Sequence, residues 1–229
     1  MAVFLFGRSS GFSVSPNFGD NSWAEIVKAC RLNKIPDTWR VGDYKMMTIG
    51  DADYRVDIIG KNHDIYADGT GVAPLTFQLH DTYNTTYKMN DTSSDEVSWT
   101  SCAMRTKTLP ALLAVMPPEV QAGVREVHKL TCATPKNKTI ITTADKLFLL
   151  SEYEVFGSIS QSLAIEGTKY AYYDIALNRR KKGGTGGNNL WWNRSPAIDY
   201  RSFCRITSDG EPNFYPADAA FYVSFAFCF

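Results

Sequence analysis

The chain has 229 residues, with 24 Lys+Arg against 24 Asp+Glu, so its formal net charge is zero. That balance lacks the basic excess needed to grip nucleic acid or an anionic membrane, and 44% hydrophobic with 21% charged residues describes a folded protein, not a disordered one. A chain this long buries enough surface to fold without a metal or disulfide staple, and no apolar run approaches the ~20 residues of a bilayer span.

Residues 1–11 are apolar at the start but have no basic region before them and no cleavage site. They read as an N-terminal arm or strand within residues 1–20, not as a signal peptide, which implies synthesis in the cytoplasm without processing. Asp20-Asn21-Ser22 then caps a helix over residues 22–34, in which Trp23, Ile26, Val27 and Cys30 recur at helical spacing, and Pro36 is expected to end it. Two β-rich runs flank Gly50-Asp51-Ala52-Asp53 and predict a hairpin, and Leu75 to Leu79 reads as a further strand. Residues 96–116 look helical and broken near Pro110. A second helix is expected from Pro118 to about Leu130, started by Pro118 and Glu119. Two short strands follow in residues 136–151, and residues 152–178 are mixed. Lys181 to Asn189 is a glycine-rich, flexible loop by composition. After it the chain turns to short strands and turns.

Several small patterns favour ordinary structure over chemistry. The Gly-Gly-Thr-Gly-Gly run has no strand-to-helix context and no Lys-Ser/Thr ending, so it is no phosphate loop. His63, His80 and His128 have no metal-ligand spacing. Asp51, Asp53, Asp57, Asp64 and Asp68 lack the ordered ligands of a calcium loop and are expected as solvated hairpin residues. Asn84, Asn90, Asn137 and Asn193 lie in glycosylation sequons, which matter only for a chain secreted by a eukaryote. The five cysteines, at positions 30, 102, 132, 204 and 228, are odd in number, widely spaced and without a Cys-x-x-Cys pair. Buried reduced thiols are expected, and Cys204 and Cys228, both in the C-terminal aromatic segment, are candidates for neighbours across a sheet. No catalytic triad can be assembled. No metal and no cofactor is predicted.

The C-terminal segment carries more information. The 37 residues after Trp192 contain no Lys, Gln, Met, Leu, His or Trp, although thirteen Lys occur up to Lys182. Asn codons whose adenines are randomised, with the third-base pyrimidine kept, never encode Lys, Gln, Glu, Met or Trp. The segment obeys this rule except at Glu211.

The stretches SWAEIVKACRLNKIPDTWRVGD, SWTSCAMRTKTLPALLAVMPPEV, DKLFLLSEYEVFG and EGTKYAYYD, with the ending WWNRSP…FCRITSDG…FAFCF, resemble a family of proteins from gut bacteria and their phages. The likeness runs from about Ser22 to Phe229. It implies a single α+β domain over 1–229, with a C-type-lectin-like fold related to formylglycine-generating enzymes. Some members of that family are variable proteins of diversity-generating retroelements, in which adenine-specific reverse transcription rewrites the C-terminal codons and so alters what is bound. The resemblance therefore implies a variable ligand-binding segment over 190–229.

Within that segment the residue types separate. Trp191, Trp192, Phe203, Ile206, Phe225 and Phe227 are expected core anchors. Arg194 is expected to hold carbonyls or a carboxylate, Pro196 to fix the chain's exit, and Gly210 to supply a positive φ. Between them lie Asn193, Ile198, Asp199, Tyr200, Arg201, Arg205, Thr207, Asp209, Asn213, Phe214, Tyr215, Asp218, Phe221 and Tyr222, a set with the composition of a paratope. Tyr200, Phe214, Tyr215 and Tyr222 are expected to be exposed on one face. The leading expectation is a non-enzymatic receptor-binding protein of a phage tail tip or bacterial surface, meeting a protein or glycan ligand. Further phage tail subunits or a second copy of the chain are possible additional partners. The alternatives are an oxidase of the formylglycine-generating type, which would need a reactive thiol pair, and a structural phage or cell-surface protein.

Overall fold

The structure is a computed structural model and describes residues 12–183 and 186–229. The expected N-terminal arm thus lies, over residues 1–11, outside the described residues. Ser22 caps the first helix, α1 (Trp23–Arg31), through a capping box: its side chain accepts from the Glu25 N–H while the Glu25 carboxylate accepts from the Ser22 N–H. The helix ends earlier than Pro36. Asn33 adopts a left-handed φ of 49°, and the Lys34 N–H reaches back to the Ala29 carbonyl, which closes the last turn.

The hairpin expected around Gly50 forms from β1 (Tyr44–Ile49) and β2 (Ala52–Lys61). Next come β3 (Leu75–Leu79), as expected from its sequence, and β4 (Tyr87–Lys88). The helix expected over 96–116 begins only near Ala103, with a π-helical turn, Met104–Thr108, that runs into α2 (Leu109–Ala114). Pro110 falls in the first turn of α2, where its missing N–H costs little.

The second expected helix, α3 (Pro118–Gly123), stops well short of Leu130. Alternation wins over helical spacing here: Val127, Lys129 and Thr131 are buried while His128 and Leu130 are exposed, which makes β5 (Val127–Thr134) a strand. Gly123 is needed where α3 meets α1, because a Cβ there would lie 2.5 Å from Val27 Cγ2.

β6 (Asn137–Asp145) pairs with β5, and β7 (Leu147–Phe148) and α4 (Glu152–Phe156) follow. The glycine-rich loop is closed by a two-residue pairing of β8 (Lys181–Lys182) with β9 (Asn188–Asn189). The chain then forms β10 (Trp191–Pro196), β11 (Ser202–Ile206), β12 (Pro212–Pro216), β13 (Ala220–Phe221) and β14 (Ala226–Cys228).

The result is α+β, with short, mostly antiparallel strands and, among the described residues, four α-helices. A five-stranded sheet runs in the order β1-β2-β3-β14-β7, so the final strand is internal, although shifted from the expected Tyr222–Phe227 to Ala226–Cys228. Phe227 and Phe229 pack on Phe77, and Trp23 of α1 closes over Phe77 and Phe229. The opposite face is buried too, because Cys228 lies against Asp64 and Thr76. Cys204 sits in β11, in a different sheet, so the two cysteines are not cross-strand neighbours. All five cysteines are unpaired and buried. Among the described residues no helix is long and apolar enough to cross a membrane.

Two of the five aspartates are not the solvated residues expected. Asp57 is buried and accepts from Arg55 Nε at 2.7 Å and Tyr172 Oη at 2.5 Å, with His80 Nδ1 at 2.6 Å. Asp64 is buried beside Lys129 Nζ at 2.8 Å and accepts from Thr76 Oγ1 at 2.5 Å. Partners distant in sequence supply the hydrogen bonds that make this burial tolerable.

Candidate ligand-binding face

The C-terminal segment builds a three-stranded antiparallel sheet, β10-β11-β12, on a buried polar underlay. The pairing of β10 with β11 is irregular between Trp192 and Pro196, which breaks the strand alternation there, and Arg194 is fully buried, donating to the carbonyls of Leu130 and Leu149 and to Glu154 Oε2 at 2.5 Å. Burial alone would push the Arg194 pKa down, but the Glu154 carboxylate outweighs it and holds the pKa up. Burial likewise opposes the charge on Glu154, yet Arg194 and Lys129 hold its carboxyl below the usual range. Lys129 Nζ, 2.7 Å from Glu154 and 2.8 Å from Asp64, balances the two carboxylates. Two cations thus meet two anions beneath β10. Alongside, Ser195 Oγ donates to Glu166 Oε2 at 2.5 Å, and burial raises the Glu166 pKa.

This underlay was invisible in the segment itself, apart from Arg194. One signal was available: Ser151-x-x-Glu154 before Val155-Phe156 is a capping-box pattern, and α4 uses it. Glu154 caps the helix and pairs with Arg194 at once.

All eight expected scaffold residues are buried: Trp191, Trp192, Arg194, Pro196, Phe203, Gly210, Phe225 and Phe227. Gly210 has φ 83° in the β11–β12 turn. The fourteen candidate contact residues divide. Ile198, Asp199, Tyr200, Arg201, Asp209, Tyr215 and Asp218 are exposed; Arg205, Thr207, Asn213, Phe214, Phe221 and Tyr222 are half-buried. Asn193 does not fit a contact face. It is fully buried in β10 with neither amide atom hydrogen-bonded. The four expected aromatics do not share a face either. Phe214 pairs with Cys204 and Tyr215 with Phe203, so the two adjacent side chains leave opposite sides of β12. Tyr222 is half-buried against the core, its backbone bridged to Trp191.

What the sheet does bring together is a smaller group. Trp192, Arg205 and Asn213 lie opposite one another across β10, β11 and β12, and Tyr215 follows on the same side. Trp192 and Phe221 meet edge to face at 5.0 Å, and Phe221 and Tyr215 at 5.3 Å and 90°. Next to this row the β10–β11 turn presents Ile198 and Tyr200, both about half exposed. Asp199 holds that turn, its carboxylate accepting from the Arg201 and Ser202 N–H groups and from Ser202 Oγ. Tyr200 is held at φ 67°, a left-handed conformation unfavourable for a bulky side chain. Thr207 and Asp218 have local structural partners as well: Thr207 Oγ1 accepts from the Glu211 N–H, and Asp218 accepts from Ser93 Oγ.

No group of His, Cys, Asp and Glu among the described residues is arranged to hold a metal ion. A cleft of about 600 Å³ lies away from this face, beside β1, lined by Phe18, Tyr44, Met46 and Arg55. No curated protein and no solved structure matches the chain. A domain of unknown function, DUF6273, matches residues 75–224, from the first residue of β3 to just before β14. The match takes in the whole β10-β11-β12 face together with Glu154 and Lys129 beneath it, and the chain belongs to this DUF6273 family.

Proposed function

We propose that the protein is a non-enzymatic ligand-binding protein that attaches to a cell-surface protein or glycan through the β10–β12 face. In this reading the fold is C-type-lectin-like, the chain is displayed on a phage tail tip or bacterial surface, and a retroelement diversifies the face. The observation that carries it is the separation of roles along one short segment. The anchors are all buried, while Ile198, Tyr200, Arg201 and Tyr215 are exposed on the β10–β11 turn and β12. Aromatic side chains of this kind supply large contact area at low entropy cost. The biased composition after Trp192 supports diversification of the same positions.

The oxidase alternative fares worse on chemistry. Burial pushes the thiols of Cys30, Cys102 and Cys132 up to about 12, and it also raises those of Cys204 and Cys228 well above the usual thiol value. Reactive cysteines need the opposite environment.

Fluorescently labelled protein should bind to intact gut bacterial cells, and the double variant Tyr200→Ala/Tyr215→Ala should lose that binding while remaining folded. Equal binding by both proteins would refute the assigned face. For the retroelement, the coding stretch for residues 193–229 should recur nearby as a template differing only at adenines, beside a reverse transcriptase.

A further inference from the structure

Resting on the binding-face reading, we propose that Arg205 is the ionic anchor of the face and that its ligand carries a planar carboxylate. The Arg205 guanidinium carbon lies 4.5 Å from the Tyr215 ring centroid and 4.3 Å from that of Phe221. Because those rings are perpendicular and 5.3 Å apart, the guanidinium sits in an aromatic corner. Among the described residues its one protein hydrogen bond runs from Nε to Asn213 Oδ1 at 3.4 Å, near the limit for such a bond. Among the described residues no carboxylate reaches it, whereas Arg55, Arg105, Arg125 and Arg194 each have one. Among the described residues neither Nη atom makes a protein hydrogen bond and neither is buried without a partner, so both face solvent.

The corner therefore holds a cation without neutralising it. Arginine held this way presents two parallel N–H donors, the fork that a carboxylate matches in bidentate fashion. Partial burial also weakens the hold of water on the guanidinium and pushes its pKa down. An incoming anion thus displaces less hydration than at a fully exposed arginine. Charge favours the carboxylate. It brings one negative charge, matched by the single guanidinium, into the partly buried corner. A phosphate monoester carries nearly two at neutral pH, more than the guanidinium neutralises, and must shed more hydration there. The carboxylate comes from an acidic sugar or from an acidic peptide side chain.

Side-chain Nε and Nη resonances of Arg205 provide the test, titrated with glucuronate, N-acetylglutamate amide, glucose and glucose 6-phosphate. Glucuronate or the glutamate derivative should shift them saturably, and which of the two binds tighter identifies the source. Glucose should leave them unmoved, and glucose 6-phosphate should bind about tenfold more weakly, a difference of about 1.4 kcal/mol. Arg205→Lys keeps the charge but loses the fork, and should weaken carboxylate binding about tenfold at an unchanged Tm. The proposal is overturned if neither carboxylate gives a saturable shift, if glucose matches glucuronate, or if Arg205→Lys binds as the wild type does. Cell attachment separates this failure from that of the face itself. Binding lost in Tyr200→Ala/Tyr215→Ala but kept in Arg205→Gln leaves the face standing and removes only the carboxylate.

Discussion

Tyr200 is where conformation and proposed contact pull against each other. Its left-handed φ costs roughly 1 kcal/mol for a residue with a Cβ, and glycine carries no such penalty. Tyr200→Gly should therefore leave thermal stability unchanged or raise it slightly, while weakening cell attachment; a clear fall in Tm would show that the ring holds the fold. Lys181 shows a different conflict. It is fully buried, donating to the Leu79 and His80 carbonyls, and burial lowers its pKa to about 8. Between that value and the ~10.4 of an unfolded lysine, the unfolded state binds the extra proton, so this residue's contribution to stability rises with pH across the window. Across it the wild type should gain about 3 kcal/mol relative to Lys181→Met in denaturant titrations. Parallel pH profiles for the two proteins would contradict the burial of a charged Lys181.

At the level of elements, β10 is held by a helix and a strand far away in sequence. Replacing Arg194 alone by Met leaves Glu154 buried beside Lys129 only, and replacing Glu154 alone by Gln strands Arg194. Each single change should cost about 3–5 kcal/mol, while exchanging both partners for apolar residues should cost much less. Denaturant unfolding of the three variants measures this, and additive losses would show that the two residues do not act as a pair. The depressed pKa values of Asp64 and Glu154 give the sign of the acid response. Their contribution is complete above the unfolded carboxylate range near 4 and is lost as pH falls through their lower folded values.

Elements with local signals were legible in the sequence: Ser22 and Glu25 mark the start of α1, Gly50 the hairpin, and the alternation of β3 its strand. The stop of α3 at Gly123 was not legible, because Val127 and Leu130 fit a helical face as well as a strand until Lys129 is seen buried on Asp64. Asn193 and Phe214 were misplaced for a related reason. Residue type suggests contact, but the register of β10 and β12 decides which side of the sheet each occupies.

On the scale of the whole molecule, the last strand is internal to the main sheet while the segment just before it forms an outer face. The same 37 residues thus complete the core through Val223 to Phe229 and present Ile198, Tyr200, Arg205 and Tyr215 outside it. That arrangement permits a face to change without loss of the fold, provided the two sets of positions are independent. Alanine at Trp191 or Phe225, both fully buried, should cost roughly 3–5 kcal/mol by opening a cavity. Alanine at the exposed positions should change stability by only about 0.5 kcal/mol. The most direct measurement is an alanine scan of residues 193–229 that reads Tm and cell attachment for every variant. The account predicts two nearly separate groups: Ile198, Tyr200, Arg201, Arg205 and Tyr215 lose attachment at an unchanged Tm, while Phe203, Ile206, Phe225 and Phe227 lose Tm. If Tyr200 and Tyr215 variants melt as early as Phe225→Ala, the outer face is part of the core and the binding reading is contradicted.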